Sequence, residues 1–444
     1  MNYASLRKKI SEKSALVCVV GQGYVGIHLS VAFARAGFRT TGFDISEKRI
    51  AELSRCYDSA GEVGEDTLRE LQASGKLAFT TNPASISEAD FILLALPSLL
   101  TKKKEPDLSA IRAASETVGK HMKRGAVVVL ESSVYPGVTE EEVLPRLEEL
   151  SGMRAGIDFS VGYSPERVNP GDPEHSLEKI VKVVAGLDDE TTDLLAFLYG
   201  HITKAGTFKA KNIKTAEAAK IIENIQRDLN IALMNEFAII FERMGLSIWD
   251  VLEVAKTKWN FIPFKPGLVG GYCVPVNPYY LVYKARRLGY RPRVMLAGRS
   301  TNDSMPKHIV SLTEKALARV GKKTKGSRVL VLGLSFKENV RDPRFSPVKE
   351  VIKGLKRKGC AVLAHDPLLF KFDVEKEFGV KNLDNFGMAS GVDAIILATG
   401  HNEFRKIPLS ELRRICNEKP VLVDTRNFFS EKEGESAGFI VVRL

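Results

Sequence analysis

Leu16-Val-Cys-Val-Val-Gly21-Gln-Gly-Tyr-Val-Gly26 is the stretch whose reading decides the fold. Its first five residues are apolar and rich in β-branched side chains, the pattern of a buried strand. Gly21, Gly23 and Gly26 then supply a turn whose backbone can approach a ligand closely. The apolar periodicity from Ile27 to Ala36, closed by Gly37, predicts a helix straight after that turn. A second strand, Thr40-Thr-Gly-Phe-Asp44, ends in a carboxylate.

A bare G-x-G-x-x-G is a weak signal, but the order strand, turn, helix, strand, acid makes it a specific one. In that order the turn and the helix N-terminus hold a pyrophosphate, and the acid takes the ribose hydroxyls. Gly21, Gly23, Tyr24, Val25, Gly26 and Asp44 are therefore candidate dinucleotide contacts. Asp44 favours NAD over NADP, since a carboxylate repels a 2′-phosphate, while Arg49 nearby pulls the other way.

Further strands are expected at Asp90-Phe-Ile-Leu-Leu-Ala95 and Ala126-Val-Val-Val-Leu130. Ser98 and Ser133 follow their carboxyl ends, the edge at which an open α/β sheet binds ligands. Val161-Gly-Tyr-Ser-Pro-Glu166-Arg167 reads as a strand running into a turn with a charged pair. A solvated loop acid is the competing reading for Glu166.

From Ile213 to Met244 the chain carries no Gly or Pro, which predicts one helix about 48 Å long, more than a single domain needs. Lys220 and Asn224 are four apart and project from one face. Ile221, Ile222 and Ile225 flank them, so the pair is expected beside buried surface. Downstream, Pro266-Gly-Leu-Val-Gly-Gly-Tyr-Cys-Val-Pro-Val-Asn-Pro-Tyr-Tyr280 leads three glycines into Cys273 and then stiffens the chain with Pro275 and Pro278. A thiol on such a turn suits covalent work on a carbonyl; taken alone it reads first as a buried cysteine in a Gly/Pro turn, and the motifs elsewhere in the chain overturn that reading.

The last third repeats the first. After the Lys/Gly-rich linker from Gly321 to Ser327, Arg328-Val-Leu-Val-Leu-Gly333 parallels the opening strand, and Ala361-Val-Leu-Ala-His-Asp366 parallels the strand ending at Asp44. Val392-Asp-Ala-Ile-Ile-Leu-Ala398 and Val421-Leu-Val-Asp424 continue the series. G-x-G-x-x-G is replaced by Gly333-Leu-Ser-Phe-Lys337, so this unit is expected to hold a nucleotide without being a second NAD site. Lys337 and Arg344 are its candidate phosphate contacts.

At 444 residues the chain exceeds one core and should form two or three domains. Five cysteines without a CxxC pair argue against a disulfide framework or a zinc ribbon. The net charge of +11 is scattered, so nucleic-acid binding is not expected, while small polyphosphate ligands suit a basic surface. No apolar signal core or spanning segment is read, and a cytoplasmic protein without membrane contact is the expectation.

Together these segments resemble the UDP-sugar 6-dehydrogenase family, which acts on UDP-glucose or UDP-N-acetylhexosamines. GQGYVG, LTKKKEPDLS, ESSVYPGVTEE, SPERVNPGD, AEAAKIIENIQRDLNIALMNE, GGYCVPVNPYYL, NDSMP and SFKENVRDPRFSP occur in the family's order and spacing. The resemblance implies an α/β fold of two Rossmann-like, doubly wound domains joined by a long central helix. Its parts would be an NAD-binding domain at 1–205, a helical catalytic and dimerisation domain at 206–320, and a UDP-sugar-binding domain at 321–444. It implies NAD-dependent oxidation of the C6 alcohol of UDP-GlcNAc or UDP-ManNAc to the uronate for glycan precursor synthesis, by a homodimer paired through the central helix.

By the same resemblance Cys273 is the nucleophile that carries a thioester, and Lys220 and Asn224 stabilise the reacting oxygen. Ser98, Ser133, Arg49 and Arg344 would lie by the NAD. Glu166, Arg167 and Phe264 would face the sugar nucleotide, with the loop glycines Gly267, Gly270 and Gly271; Phe336 and Lys337 would join them from the third domain. The family usually carries Asp where this chain has Asn277, and an amide cannot accept a proton. Tyr272 replaces a common His, the glycine loop from Lys265 to Val269 is one residue short, and His28 and Leu99 stand where Pro is usual. Two alternatives follow from Asn277: a binding protein without turnover, or a slow two-electron dehydrogenase. NPGD and PVNPYYL resemble the N-acetylhexosamine branch.

Overall fold

A computed structural model describes residues 1–168 and 174–444. The NPGD part of SPERVNPGD lies outside the described residues. The protein is mixed α/β, with a mainly parallel sheet in the N-terminal part, a fully parallel sheet in the C-terminal part, and a helical region between them in the chain. It divides into two compact units. Met1–Glu223 with Tyr279–Tyr290 form the first, and Asn224–Pro278 with Arg291–Leu444 form the second.

The first unit holds strands β1 (Leu16–Val20), β2 (Arg39–Phe43), β3 (Leu77–Thr80), β4 (Phe91–Leu94), β5 (Leu99–Leu100), β6 (Pro106–Asp107), β7 (Val127–Leu130), β8 (Ser160–Tyr163), β9 (Lys182–Gly186) and β10 (Thr207–Lys209). Eight of them make one sheet in the order β10-β9-β8-β7-β4-β1-β2-β3. Six run parallel in the Rossmann order; β9 meets β8 antiparallel, and β10 pairs parallel with β9. Strands β4, β7 and β8 are buried at every residue, which is why β4 and β7 read as unbroken apolar runs rather than as alternating ones. Val17, Val19, Leu93 and Val129 pack into one core with Leu29 and Phe33 of the helix Tyr24–Arg35.

The second unit holds β11 (Arg328–Leu332), β12 (Ala361–His365), β13 (Val392–Leu397), β14 (Cys416–Asp424) and β15 (Ile440–Arg443), all parallel in the order β12-β11-β13-β14-β15. This is the other common doubly wound order. Successive residues of β11 feed opposite faces: Val329 and Val331 join a core with Met305 and Ile309, while Leu330 and Leu332 join another with Leu412 and Phe439.

Ile213–Met244 forms one helix with the bounds expected from the sequence. The helix after the glycine turn begins at Tyr24, three residues earlier than the apolar pattern indicates, because Gly23 serves as its N-cap. Strand β14 begins at Cys416, five residues before its apolar run. Ile221 and Ile225 are buried beside Lys220 and Asn224 as expected. Ile222 corrects the reading: it is 56% exposed, because it points away from that face. Among the described residues no helix is long and apolar enough to cross a membrane.

Candidate active site

In the first unit the glycine turn is shaped by backbone crowding. A Cβ on Gly26 would lie 1.7 Å from the Gly21 carbonyl oxygen, and one on Gly21, at φ +90°, would lie 2.6 Å from the Ala95 oxygen. At Gly23 a Cβ would meet nothing within 4 Å, so space opens at the start of the helix, where no side chain caps the N-terminus. Tyr24 and Val25 are the first two residues of that helix and are half-buried. Its uncapped amides and dipole favour an anionic group.

Asp44 stands directly after β2 with both oxygens fixed: Oδ2 accepts from Gln22 N at 2.7 Å and Oδ1 from Ser46 N at 2.8 Å. Arg49 donates to the Gln22 carbonyl at 2.8 Å and to Asp58 at 2.7 Å, so its charge is neutralised by Asp58. The open cradle at Gly23, the uncapped helix and the half-buried acid fit a dinucleotide. Ser98 and Ser133 lie together after β4 and β7, with Ser98 Oγ donating to the Ser133 carbonyl at 2.6 Å. Ser132 Oγ accepts from Leu96 N at 3.0 Å and donates to its carbonyl at 2.8 Å, tying the two strand ends.

Glu166 is buried, against the solvated-loop alternative. Its Oε1 accepts from the amides of Arg167 and Val168 at 2.7 and 2.6 Å, and its Oε2 has no partner among the described residues. Arg167 pairs with Glu223 at 2.8 Å. Lys220 is 8% exposed, on the same unit's stretch of the long helix.

Two further buried groups shape this half, and sequence reasoning missed both. Lys182, the first residue of β9, is fully buried and donates to Glu131 at 2.6 Å and to the carbonyls of Ser164 and Pro165 at 3.1 and 3.0 Å. Tyr199 donates to the other Glu131 oxygen. Lys182 thereby joins the ends of β7 and β8 just before Ser133 and Glu166. Glu217, also fully buried, accepts from the amides of Gly137 and Thr139 at 2.5 and 2.9 Å and from the Thr139 hydroxyl at 2.7 Å. Burial pushes its carboxyl up to about 7, against the three donors, which favour the ionised form. The signal for Glu217 was its place one turn before Lys220; a lone Lys at a strand start gave none for Lys182.

In the second unit Cys273 is exposed on a turn whose carbonyl accepts from Val276 and Asn277 amides at 3.2 and 2.9 Å. Asn277 opens the helix Asn277–Arg287; its Oδ1 accepts from Asn224 Nδ2 at 2.6 Å. Both side chains are buried, and Asn277 Nδ2 has no partner among the described residues. The glycine loop is held from below: Asn235 accepts from Gly267 N at 2.7 Å and donates to its carbonyl at 3.0 Å. Asn235 also donates to Asn302, which donates to Asp228, itself paired with Arg299 at 2.5 Å. None of these four was singled out from sequence.

A Cβ on Gly270 would lie 2.6 Å from Pro347, and one on Gly271, at φ +88°, would lie 2.8 Å from the Phe336 ring. The paired glycines thus seat the cysteine turn against the turn after β11. Phe264 is half-buried, with its amide on the Ile262 carbonyl. Tyr272 stacks edge-on with Phe345 at 4.7 Å, and Arg344 lies over the Tyr272 ring at 5.0 Å while making a two-point ion pair with Asp342. Lys337 is half-buried on the turn after β11.

Three family models match in succession along the chain. All belong to the UDP-glucose/GDP-mannose dehydrogenase family: its NAD binding domain at residues 15–203, its central domain at 214–304 and its UDP binding domain at 330–431. The chain is 44% identical over 424 residues to a UDP-N-acetyl-D-glucosamine 6-dehydrogenase of Pseudomonas aeruginosa, covering 95% of this chain and 99% of that one. It is 31% identical over 417 residues to a UDP-N-acetyl-D-mannosamine dehydrogenase of Pyrococcus horikoshii, covering 94% and 96%. The solved structure of a UDP-D-ManNAc dehydrogenase from Pyrococcus horikoshii superposes with a TM-score of 0.88 at 30% identity, over 96% of this chain and 98% of that one. The open dinucleotide cradle and these matches lead to one conclusion: the chain belongs to the UDP-glucose/GDP-mannose dehydrogenase family and is an NAD-dependent UDP-sugar oxidoreductase.

Proposed function

We propose that this protein oxidises the C6 alcohol of a UDP-N-acetylhexosamine, UDP-GlcNAc before UDP-ManNAc, to the uronate in two two-electron stages. The observation that carries the reading is Cys273, an exposed thiol on a turn four residues before Asn277, which forms a buried pair with Asn224. The greater identity to the glucosamine relative supports the choice of sugar.

Bound at Gly21, Gly23, Gly26 and Asp44, NAD+ supplies the hydride acceptor for each stage. After the first stage Cys273 Sγ adds to the aldehyde carbon, and the carbonyl oxygen takes up a proton to give a thiohemiacetal. The second stage leaves a thioester. Water then adds to that carbon, the C–S bond breaks, and the proton returns to sulfur. The Lys220 ammonium and the Asn224 amide hold the oxygen as its charge grows, where fixed donors act best. Glu166, with a buried oxygen that has no partner among the described residues, and Arg167 orient the sugar; Lys337 and Phe336 hold the UDP; Phe264 and the loop glycines close around it. Ser98, Ser133 and Arg344 serve the cofactor.

The reading keeps three functional parts, at 1–205, 206–320 and 321–444. It also takes the protein as a homodimer through the long helix. Exposed Ile222, Leu233, Ile240 and Met244 fall within an arc of about 40° on that helix, an apolar stripe suited to a second copy. The test is Cys273→Ala with UDP-GlcNAc and NAD+: no uronate is expected, and uronate at the wild-type rate would end the mechanism.

A further inference from the structure

The two sheets carry the same device at their first turn, and the difference between the copies assigns a role to His401. In the first, Gly21 N donates to the Phe43 carbonyl, and Gln22 N and Ser46 N bind the two oxygens of Asp44. In the second, Gly333 N donates to the His365 carbonyl, and Leu334 N and Leu368 N bind the two oxygens of Asp366. Asp44 is half-buried. Asp366 is 1% exposed, because His401, itself fully buried, covers it with Nε2 at 3.0 Å from Oδ2. His401 follows β13 at the distance at which Ser98 follows β4. The second acid is thus withdrawn from any ribose.

The histidine instead reaches the turn that carries Lys337. Its Nδ1 accepts from Asn339 N at 2.9 Å, which leaves the ring proton on Nε2. That N–H is shared between Asp366 and Ser335 Oγ at 3.0 Å, and Ser335 Oγ donates to the Lys337 carbonyl at 3.0 Å. The next residue closes the clasp, Asn402 N donating to Asn339 Oδ1 at 2.9 Å. Asn339 sits at φ +59°, a conformation that needs outside support.

We propose that His401 is a positioning residue that presets the Lys337 turn for the diphosphate of the UDP moiety. This rests on Lys337 as a UDP contact. The preset matters because ordering a loop at the moment of binding weakens affinity.

The test is calorimetric titration of the full-length protein with UDP alone and, separately, with NAD+. His401→Leu is expected to weaken UDP by about tenfold, the effect of losing two buried hydrogen bonds, and to leave NAD+ unchanged. His401→Asn, which returns an acceptor near the Nδ1 position, should recover most of the loss; His401→Gln, which returns only the donor side, should not. Asn339→Gly keeps the φ angle outside the core, drops the Asn402 bond and should weaken UDP in the same direction. Wild-type UDP affinity in His401→Leu, or an equal loss for NAD+, would overturn the proposal. Lys337→Ala separates the two layers. If it weakens UDP and His401→Leu does not, the clasp alone is wrong; if it has no effect, the Lys337 contact fails and the clasp fails with it.

Discussion

Asn224 Nδ2 lies 2.6 Å from Asn277 Oδ1, with both side chains buried and the side-chain nitrogen Nδ2 of Asn277 unpartnered among the described residues. A carboxylate at position 277 would keep the bond from Asn224 and put an acceptor where the orphan donor now stands. It could also take a proton from an attacking water, which an amide cannot. Asn277→Asp is therefore expected to raise the steady-state rate of NADH release by about tenfold, a modest share of what general bases contribute. The rate should also gain an acid limb from carboxylate protonation. A pH–rate profile checks this; an unchanged rate and profile would mean that position 277 does not limit turnover.

Glu217 should make stability depend on pH. Burial raises its folded pKa from 4.5 to about 7, so the folded protein keeps a proton that the unfolded chain has already lost. Its contribution is full below about 4.5 and drains away as pH rises to about 7, by on the order of 3 kcal/mol. Glu217→Gln does not titrate. The melting-temperature gap between wild type and this variant should shift against the wild type from pH 5 to pH 7.5 and then level off. Parallel curves across that range would contradict the assignment.

Lys182 and Glu131 form a charge pair with no exposed side-chain surface. Lys182→Met strands the carboxylate and should cost about 3–5 kcal/mol. Adding Glu131→Gln removes the stranded charge and should recover part of that loss. Thermal melts of the single and double variants decide it, and a double variant worse than Lys182→Met would refute the pairing argument.

Periodicity and glycine placement made much of this fold readable. The strand ending at Val20, the turn at Gly21 and the helix from Ile213 to Met244 are local patterns, and local patterns survive folding. Cys273 and Asn277 were visible because they share one short segment. Lys182, His401 and Asn235 were not, because each acts on residues far away in the chain: Lys182 on Glu131, His401 on Asn339, Asn235 on Gly267. Their types also mislead, since a Lys or an Asn in a single sequence reads as solvated surface. Ile222 departs in the opposite sense: as an apolar neighbour of Ile221 and Ile225 it is expected to share their buried surface, and only the helix phase shows it facing out.

The most direct test of the central claim is the count of NADH formed per sugar, with limiting UDP-GlcNAc and excess NAD+. The account predicts two NADH and one uronate per sugar for the wild type, with no uronate from Cys273→Ala. One NADH per sugar with free aldehyde as the product, or two from the Cys273→Ala protein, would contradict it.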